Sequence, residues 1–248
     1  ADMGKFGKMK KILQKIEERY LKHFTPRRCM NNKLPCMICF MLCIGILVVA
    51  FLPPQQKRSE EAYAKIPEEN GTYAVHFCPR ENCTKILLNT LETASSSAKC
   101  AFYDLDLKGS IEFFKKNEKK IEIAVIVDKQ NYQQEQFEQK ANNPALMHNK
   151  FCIIDKHTVI TGSMNPTVND ATKNNNNLFI INSTYLAENY LAEFDEMQKG
   201  TFGRGTKETK TPYPIILFNN NTFENYFCPE DHCEKEVIKE LEKANTSI

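Results

Sequence analysis

The feature that most constrains this chain is a run of nineteen residues without a charged side chain, from Leu34 to Leu52. At a rise of about 1.5 Å per residue, a helix of this length spans the roughly 30 Å hydrocarbon layer of a bilayer. A signal peptide is the alternative, but its apolar core is shorter and ends at small residues, whereas Phe51-Leu52-Pro53-Pro54 ends this run. We therefore expect a transmembrane helix over residues 34–52.

The charges on either side of this segment predict its orientation. Residues 1–33 contain ten Lys or Arg and three acids, whereas only Lys57 and Arg58 follow soon after the span. The positive-inside rule then places the N-terminus in the cytoplasm and the remainder in an extracytoplasmic or lumenal space. Residues 1–33 form a basic amphipathic segment that suits a lipid surface and a solvated helix equally well. Residues 53–71, rich in Pro, Gln and Glu, are expected to form a linker.

Six of the ten cysteines follow the apolar run, and four of these lie in two similar segments, Phe77–Cys83 and Phe227–Cys233. In each segment two cysteines are five residues apart at the expected start of a helix, which favours a small disulfide loop in an oxidising compartment. The alternative is a zinc site formed by these cysteines, because His76 and His232 lie nearby, but the two-residue spacing of zinc knuckles is missing. Potential glycosylation sites begin at Asn70, Asn82, Asn182, Asn220 and Asn245.

The two cysteine segments are 150 residues apart, and the similarity continues into the helices expected at 84–92 and 234–242. Self-similarity at a fixed period indicates an internal duplication. We therefore expect one domain over residues 72–205, followed by the start of a second, truncated repeat over 206–248. We also expect the sequence to be a fragment of a longer protein.

Within residues 72–205, short apolar segments alternate with amphipathic ones. Strands are predicted at 72–77, 99–105, 121–127, 150–154, 158–161 and 177–181, and helices at 82–96, 109–117 and 186–197. This alternation predicts an α/β fold in which one mixed sheet is flanked by helices. Asp104 and Asp106 at the end of the second strand are expected to cap it or to be solvated.

The residues that favour a chemical function lie on two adjacent predicted strands. His148 and Lys150 are two residues apart in an extended segment, so their side chains share one face. Ser163 and Asn165 have the same relation after the next strand, where Gly162 allows close approach of the backbone. Taken singly, each of these residues is also typical of an ordinary hydrogen-bonded position in a strand or loop. Together, an imidazole, an ammonium, a hydroxyl and a carboxamide suit a phosphoryl centre, at which the imidazole attacks and the donors neutralise oxygens.

This segment resembles the phospholipase D superfamily, whose motif is His, any residue, Lys, four residues, Asp, six residues, Gly-Ser, one residue and Asn. The matching residues are His148, Lys150, Asp155, Gly162, Ser163 and Asn165. The resemblance covers roughly residues 73–203 and implies a phospholipase D-like fold without a metal or other cofactor. It implies catalytic roles for His148, Lys150 and Asp155, and phosphate binding by Lys150, Ser163 and Asn165. The family commonly has an acid beside a following Asn, but this chain has Asn174–Asn177 there.

The resemblance also implies that His148 forms a phosphohistidine and that a second His protonates the leaving oxygen. The second motif would come from missing sequence, one repeat length after His148, or from a second copy across a twofold axis, and the duplication favours the first source. We expect a membrane-anchored, nuclease-like phosphodiesterase. The alternatives are a phospholipase D or phospholipid transferase acting on membrane lipids, and an inactive scaffold. The acidic balance after residue 33 weakens the argument for nucleic acid.

Overall fold

The structure of the chain, a computed structural model, describes residues 66–203 and 211–247. The basic segment over residues 1–33, the predicted span over 34–52 and most of the predicted linker lie outside these residues. Within the described part of the chain, no helix combines the length and the apolar character that a membrane crossing requires.

A seven-stranded mixed sheet forms the centre of the domain. Its strands are β2 (Tyr73–Cys78), β3 (Ser97–Phe102), β4 (Glu122–Asp128), β5 (Glu138–Ala141), β6 (Lys150–Ile154), β7 (Thr158–Gly162) and β8 (Asn176–Asn182). The strand order is β2-β8-β7-β6-β3-β4-β5. Strands β3, β4 and β5 run parallel, whereas β6, β7, β8 and β2 pair antiparallel in succession. The predicted mixed sheet is therefore confirmed.

Helices cover both faces of this sheet. Helices α1 (Cys83–Leu91), α2 (Lys108–Asn117) and α3 (Val168–Thr172) contribute to one buried cluster, and α4 (Thr184–Gln198) contributes to the other. Because both faces are covered, the central strand β6 is apolar along most of its length, and Phe151–Ile154 are all buried. The predicted layers of helices are thus confirmed.

A smaller sheet contains β1 (Glu68–Glu69), β9 (Ile215–Phe218) and β10 (Asn221–Glu224), and helix α5 (Cys233–Glu242) follows it. Phe218 packs into the same buried cluster as α4, and its ring lies 6.3 Å from that of Tyr73. The small sheet therefore packs next to the edge strand β2.

Two predicted disulfide loops are confirmed, because Cys78 pairs with Cys83 and Cys228 with Cys233. A third disulfide joins Cys100 to Cys152, which the sequence did not predict. These two cysteines are 52 residues apart in sequence, and only the antiparallel register of β3 and β6 places them opposite each other.

Several elements differ from the prediction, among them the strand predicted at 99–105, which runs from Ser97 to Phe102. The helix predicted to reach residue 96 ends at Leu91, because Ser95, Ser96 and the first residue of β3, Ser97, instead bind the carboxylate of Asp155 in the turn after β6. Strand β5 lies in a polar segment and pairs only with β4, so its side chains carry no apolar alternation that would reveal it.

Candidate phosphodiester site

The candidate residues other than Asp155 lie at one edge of the large sheet, where several strands end or begin. Strands β2, β7, β3 and β4 end at this edge, whereas β8 and β6 begin there. The register places Lys150 opposite Phe102 on β3, and Gly162 opposite Leu178 on β8. The mixed topology thus brings together residues that are far apart in sequence.

His148 lies immediately before β6 and is exposed to solvent. The backbone before it is held by Asp128, a fully buried carboxylate that accepts a hydrogen bond from the Met147 amide at 2.7 Å. The His148 imidazole lies edge-on to the Tyr103 ring, with 4.9 Å between the ring centres. Partial burial is the main cause that lowers the pKa of His148 below 6.5, and the positive charge of Lys150 adds to it. The negative charges of Asp128 and Asp170 oppose this shift. The imidazole is therefore neutral near pH 7, as a nucleophile requires.

The Lys150 ammonium donates a hydrogen bond to the His148 carbonyl at 2.9 Å and lies 5.6 Å from the centre of the Tyr103 ring. His148 and Lys150 therefore contact the same ring, which confirms that they share a face. An ammonium has three N–H donors, so two remain for an oxyanion. Partial burial lowers the pKa of Lys150, and the negative charge of Asp170 opposes this effect.

Ser163 is fixed to the start of β8. Its hydroxyl donates to the Asn176 side chain at 3.0 Å and accepts from the Asn177 amide at 3.0 Å. Gly162, at φ +132°, permits this approach, because a Cβ there would lie 2.5 Å from the Asn177 carbonyl oxygen. The close backbone approach predicted at Gly162 is confirmed.

Asn165 is nearly buried, and Asp170 orients it. The Asp170 carboxylate accepts from the Asn165 backbone amide at 2.8 Å and from its side-chain amide at 2.9 Å. The Asn165 side-chain oxygen accepts from the Asp104 amide at 3.3 Å. Since a carboxamide has two N–H donors, one remains for a ligand.

Asp170 is thus an acid that supports Asn165, although the position at which the resemblance implied an acid is occupied by Asn174–Asn177. It lies on α3, and its charge raises the pKa of both His148 and Lys150. A signal for it was present: Thr167 is the N-cap residue of α3, and its hydroxyl accepts a hydrogen bond from the Asp170 amide at 3.2 Å. That pattern predicts a helix start close to the motif.

Asp155 lies away from His148 and Lys150, so its observed contacts are structural, and the catalytic role that the resemblance implies for it stays a prediction. It follows β6 at the opposite end from Lys150 and accepts hydrogen bonds from the amides of Ser95, Ser96 and Ser97 and from the hydroxyls of Ser95 and Ser96. Burial opposes the shift, but these bonds hold the pKa of Asp155 well below its usual range. Its carboxylate therefore anchors the loop between α1 and β3.

The neighbouring acids have structural partners as well. Asp106 accepts a hydrogen bond from the Val168 amide at 2.7 Å, so it caps helix α3 rather than its own strand. Asp104 accepts from the Leu105 amide at 2.8 Å. Burial raises the pKa of Asp104, and the charges of Asp106 and Asp170 add to this effect. Sequence reasoning missed Tyr103, Asp128 and Asp170, because each reaches the site through strand pairing or a helix start.

Among residues 66–203 and 211–247, one group of acids is close enough to share a metal ion: Glu193, Glu196 and Glu230. This group lies between α4 and the second disulfide loop and contains none of the residues that surround His148. Burial, together with the charge of Glu230, raises the pKa of Glu193 to about 8. Glu193 is therefore largely protonated at neutral pH.

Comparison with known proteins agrees with the family resemblance that the motif indicates. Residues 87–198 match the family described as cardiolipin synthase, PLD-like domain. Proteins named phospholipase D from Rickettsia typhi and Rickettsia conorii are each 31% identical over 127 residues, or 46% of this chain. The chain spans 62% and 64% of the lengths of these two relatives, which is less than two thirds.

Two solved structures are similar to part of the chain. The Nuc protein of Salmonella typhimurium, described as a phospholipase D family member, has 20% identity and a TM-score of 0.48, over 52% of this chain and 95% of its own. NucT from Helicobacter pylori has 17% identity and a TM-score of 0.46, over 52% and 97%. The family match, the named relatives and the complete motif together support a phospholipase D-like domain over residues 87–198.

Proposed function

We propose that the chain is a phosphodiesterase whose nucleophile is His148. The observation that carries the proposal is an exposed imidazole at His148 that lies 4.9 Å from the Tyr103 ring, with the Lys150 ammonium 5.6 Å from the same ring. An imidazole nitrogen forms a bond to phosphorus while a phosphorus–oxygen bond breaks, and the leaving oxygen takes a proton. Water then attacks the phosphohistidine, the nitrogen–phosphorus bond breaks, and a phosphate monoester is released.

Two groups are suited to stabilise the charge that develops on phosphoryl oxygens. Lys150 has two donors not engaged by the His148 carbonyl, and Asn165 has one not engaged by Asp170. Donors of this kind are typically worth about 2.7 to 4 kcal/mol of transition-state stabilisation each. Ser163 uses its hydroxyl to bind β8, so we assign it to positioning the loop that carries Asn165.

The proton for the leaving oxygen requires a second acid. In the described part of the chain, the other histidine of this hairpin is His157, which lies in the turn at the opposite end of β6 and contacts Thr184. We propose that a second motif completes the site. The repeated cysteine loops favour a later segment of a longer protein, and a homodimer about a twofold axis is the alternative source.

Nucleic acid is the first candidate substrate. The groove beside Ser163 is lined by Arg80 and three asparagines together with Phe77 and Cys78, and this mixed lining suits a chain of bases and phosphates better than an acyl chain. A phospholipid is the second candidate, because relatives are named phospholipase D and the matching family is described as cardiolipin synthase. The apolar run over residues 34–52 would place either reaction at a membrane, on its extracytoplasmic or lumenal side.

The test compares three substrates: a single-stranded oligonucleotide, phosphatidylglycerol vesicles and bis(p-nitrophenyl) phosphate. His148→Ala should lose all turnover that the wild type shows. His157→Ala is the matched control, since it removes a histidine from the far end of the same hairpin, and it should keep full turnover. Equal activity of His148→Ala and wild type on each hydrolysed substrate would exclude His148 as the nucleophile.

A further inference from the structure

The sheet edge that holds the candidate phosphate site continues into a groove of about 370 Å³. Its lining residues are Phe77, Cys78, Arg80, Asn175, Asn176 and Asn177. Asn176 and Asn177 also bind the Ser163 hydroxyl, so the groove adjoins the loop that carries the phosphate-binding groups. With strands about 4.8 Å apart, three strand spacings place the end of β2 about 14 Å from the start of β6. A chain bound at His148 would therefore enter the groove beyond the reacting phosphate.

Phe77 is an exposed aromatic side chain on a fixed backbone. Its side chain is 59% exposed, although β2 is paired along its length with β8. Its amide donates to the Glu81 carboxylate at 2.9 Å, and the Cys78–Cys83 disulfide closes the loop that follows. A rigid ring that faces solvent loses little conformational freedom when a planar group stacks on it.

Arg80 supplies a cation at the same groove. The nearby Glu81 carboxylate is bound to His76 at 2.6 Å, and Arg80 forms no ion pair with any residue of the described ranges. A guanidinium recognises phosphate oxygens through two parallel N–H donors and also stacks on aromatic groups. The Asn176 side chain is already hydrogen-bonded to Ser163 and to the Asp170 carbonyl. The Asn177 side-chain oxygen accepts from the Ser163 amide, which leaves its amide donors and the Asn175 side chain to bind base edges.

We propose that this groove binds a nucleotide of a single-stranded nucleic acid, with a base stacked on Phe77 and a backbone phosphate held by Arg80. The proposal rests on the proposed function, because it supplies the substrate class for the same site. An acyl chain would require a continuous apolar lining, whereas four of the six lining side chains are polar. A duplex would hide the base faces that an exposed ring recognises.

The experiment measures binding rather than turnover. Fluorescence anisotropy gives the dissociation constant of the full chain for a labelled oligothymidylate of about 12 nucleotides, for the matching duplex and for phosphatidylglycerol vesicles. Phe77→Ala should weaken oligonucleotide binding by about 5- to 150-fold, since a base–aromatic stack is worth about 1 to 3 kcal/mol. Phe77→Trp should preserve it. Arg80→Ala should reduce the slope of log K against log salt by about 0.7.

Val75→Ala is the matched control. Val75 lies two residues before Phe77 on the same face of β2 and is 43% exposed, but it does not line the groove. Its loss should leave oligonucleotide affinity unchanged. The proposal is overturned if the wild type binds no single strand, if Phe77→Ala and Val75→Ala bind equally well, or if Phe77→Ala affects vesicles alone.

Failure of the proposed function has a different signature. In that case no phosphodiester is hydrolysed, yet Phe77→Ala still weakens single-strand binding relative to Val75→Ala. If bis(p-nitrophenyl) phosphate is hydrolysed while Phe77→Ala leaves oligonucleotide affinity unchanged, the phosphodiesterase stands and the groove assignment falls.

Discussion

Replacing Asp155 by Asn tests whether this motif residue acts in chemistry or in folding. The carboxylate accepts five hydrogen bonds at 2.8 to 2.9 Å from the amides of Ser95, Ser96 and Ser97 and the hydroxyls of Ser95 and Ser96. Asp155 has φ +51°, a conformation that Asn tolerates better than most other residues, so this change isolates the loss of charge. It should lower stability and leave the chemistry of His148 intact.

The size of the stability loss depends on which of the five donors can form a hydrogen bond to water once the charge is removed. Ser95 and Ser96 are exposed, so their four donors find water after the charge is lost and contribute only tenths of a kcal/mol each. Ser97 is 4% exposed, and its amide loses a charged partner with little access to water, at a cost of about 1 to 3 kcal/mol. The expected loss of unfolding free energy is about 3 kcal/mol, which is well below the total if all five hydrogen bonds were lost in a buried site.

Urea unfolding at neutral pH, followed by circular dichroism, measures this loss. The exposed Glu112 on α2, changed to Gln, is the control and should stay within about 0.5 kcal/mol of wild type. The pKa of Asp155 is lower in the folded state, so its contribution is present above 3.8, the ordinary value, and disappears as the pH falls further. The difference between wild type and Asp155→Asn should therefore shrink in acid.

Activity provides the decisive comparison. Well below its unfolding transition, Asp155→Asn should release p-nitrophenolate from bis(p-nitrophenyl) phosphate at a rate close to that of wild type. A variant with wild-type stability and no activity would refute the structural assignment and return Asp155 to the reaction.

Two further predictions concern the surroundings of the site, and a third concerns the separate acid group that contains Glu193. Gly162→Ala should destabilise the protein by at least about 2 kcal/mol in urea unfolding, because its Cβ would meet the Asn177 carbonyl at 2.5 Å; wild-type stability would contradict the close approach. Asp170→Asn should move the acidic limb of the pH–rate profile to lower pH, because Asp170 raises the pKa of His148; an unmoved or opposite limb would contradict this. Glu193 retains its proton up to about pH 8 when folded but only to 4.5 when unfolded, so stability falls as pH rises between these values. Glu193→Gln should flatten this dependence, and an unchanged slope would show that the shift is absent.

The sequence predicted the parts of this fold and site that depend on local pattern. Alternating apolar segments predicted the mixed sheet, and residue spacing placed His148 and Lys150 on one face. Contacts across strands were beyond local pattern. The Cys100–Cys152 pair depends on the register between β3 and β6, and Tyr103 reaches His148 only because β3 ends where β6 begins.

Asp155 shows what residue spacing alone does not predict. Its place in the motif predicted a catalytic role, because the spacing contains no information about the loop some 60 residues earlier in sequence that it binds. Conversely, Asp170 lies only five residues after Asn165 in sequence. It orients Asn165 because the short helix α3 directs the Asp170 carboxylate back to the two amides of that residue. In both cases a side-chain partner fixed by tertiary structure determines the role.

The most direct test of the central claim is to detect the phosphoryl group on His148. The leaving p-nitrophenolate is a stable anion that departs without a proton donor, so bis(p-nitrophenyl) phosphate should react with His148 even when a second acid is missing. After a quench in base, peptide mass spectrometry should find an aryl phosphoryl adduct on the peptide that contains His148, in wild type and in His157→Ala. An adduct on another residue, or release of p-nitrophenolate that persists in His148→Ala, would contradict the assignment of His148 as the nucleophile.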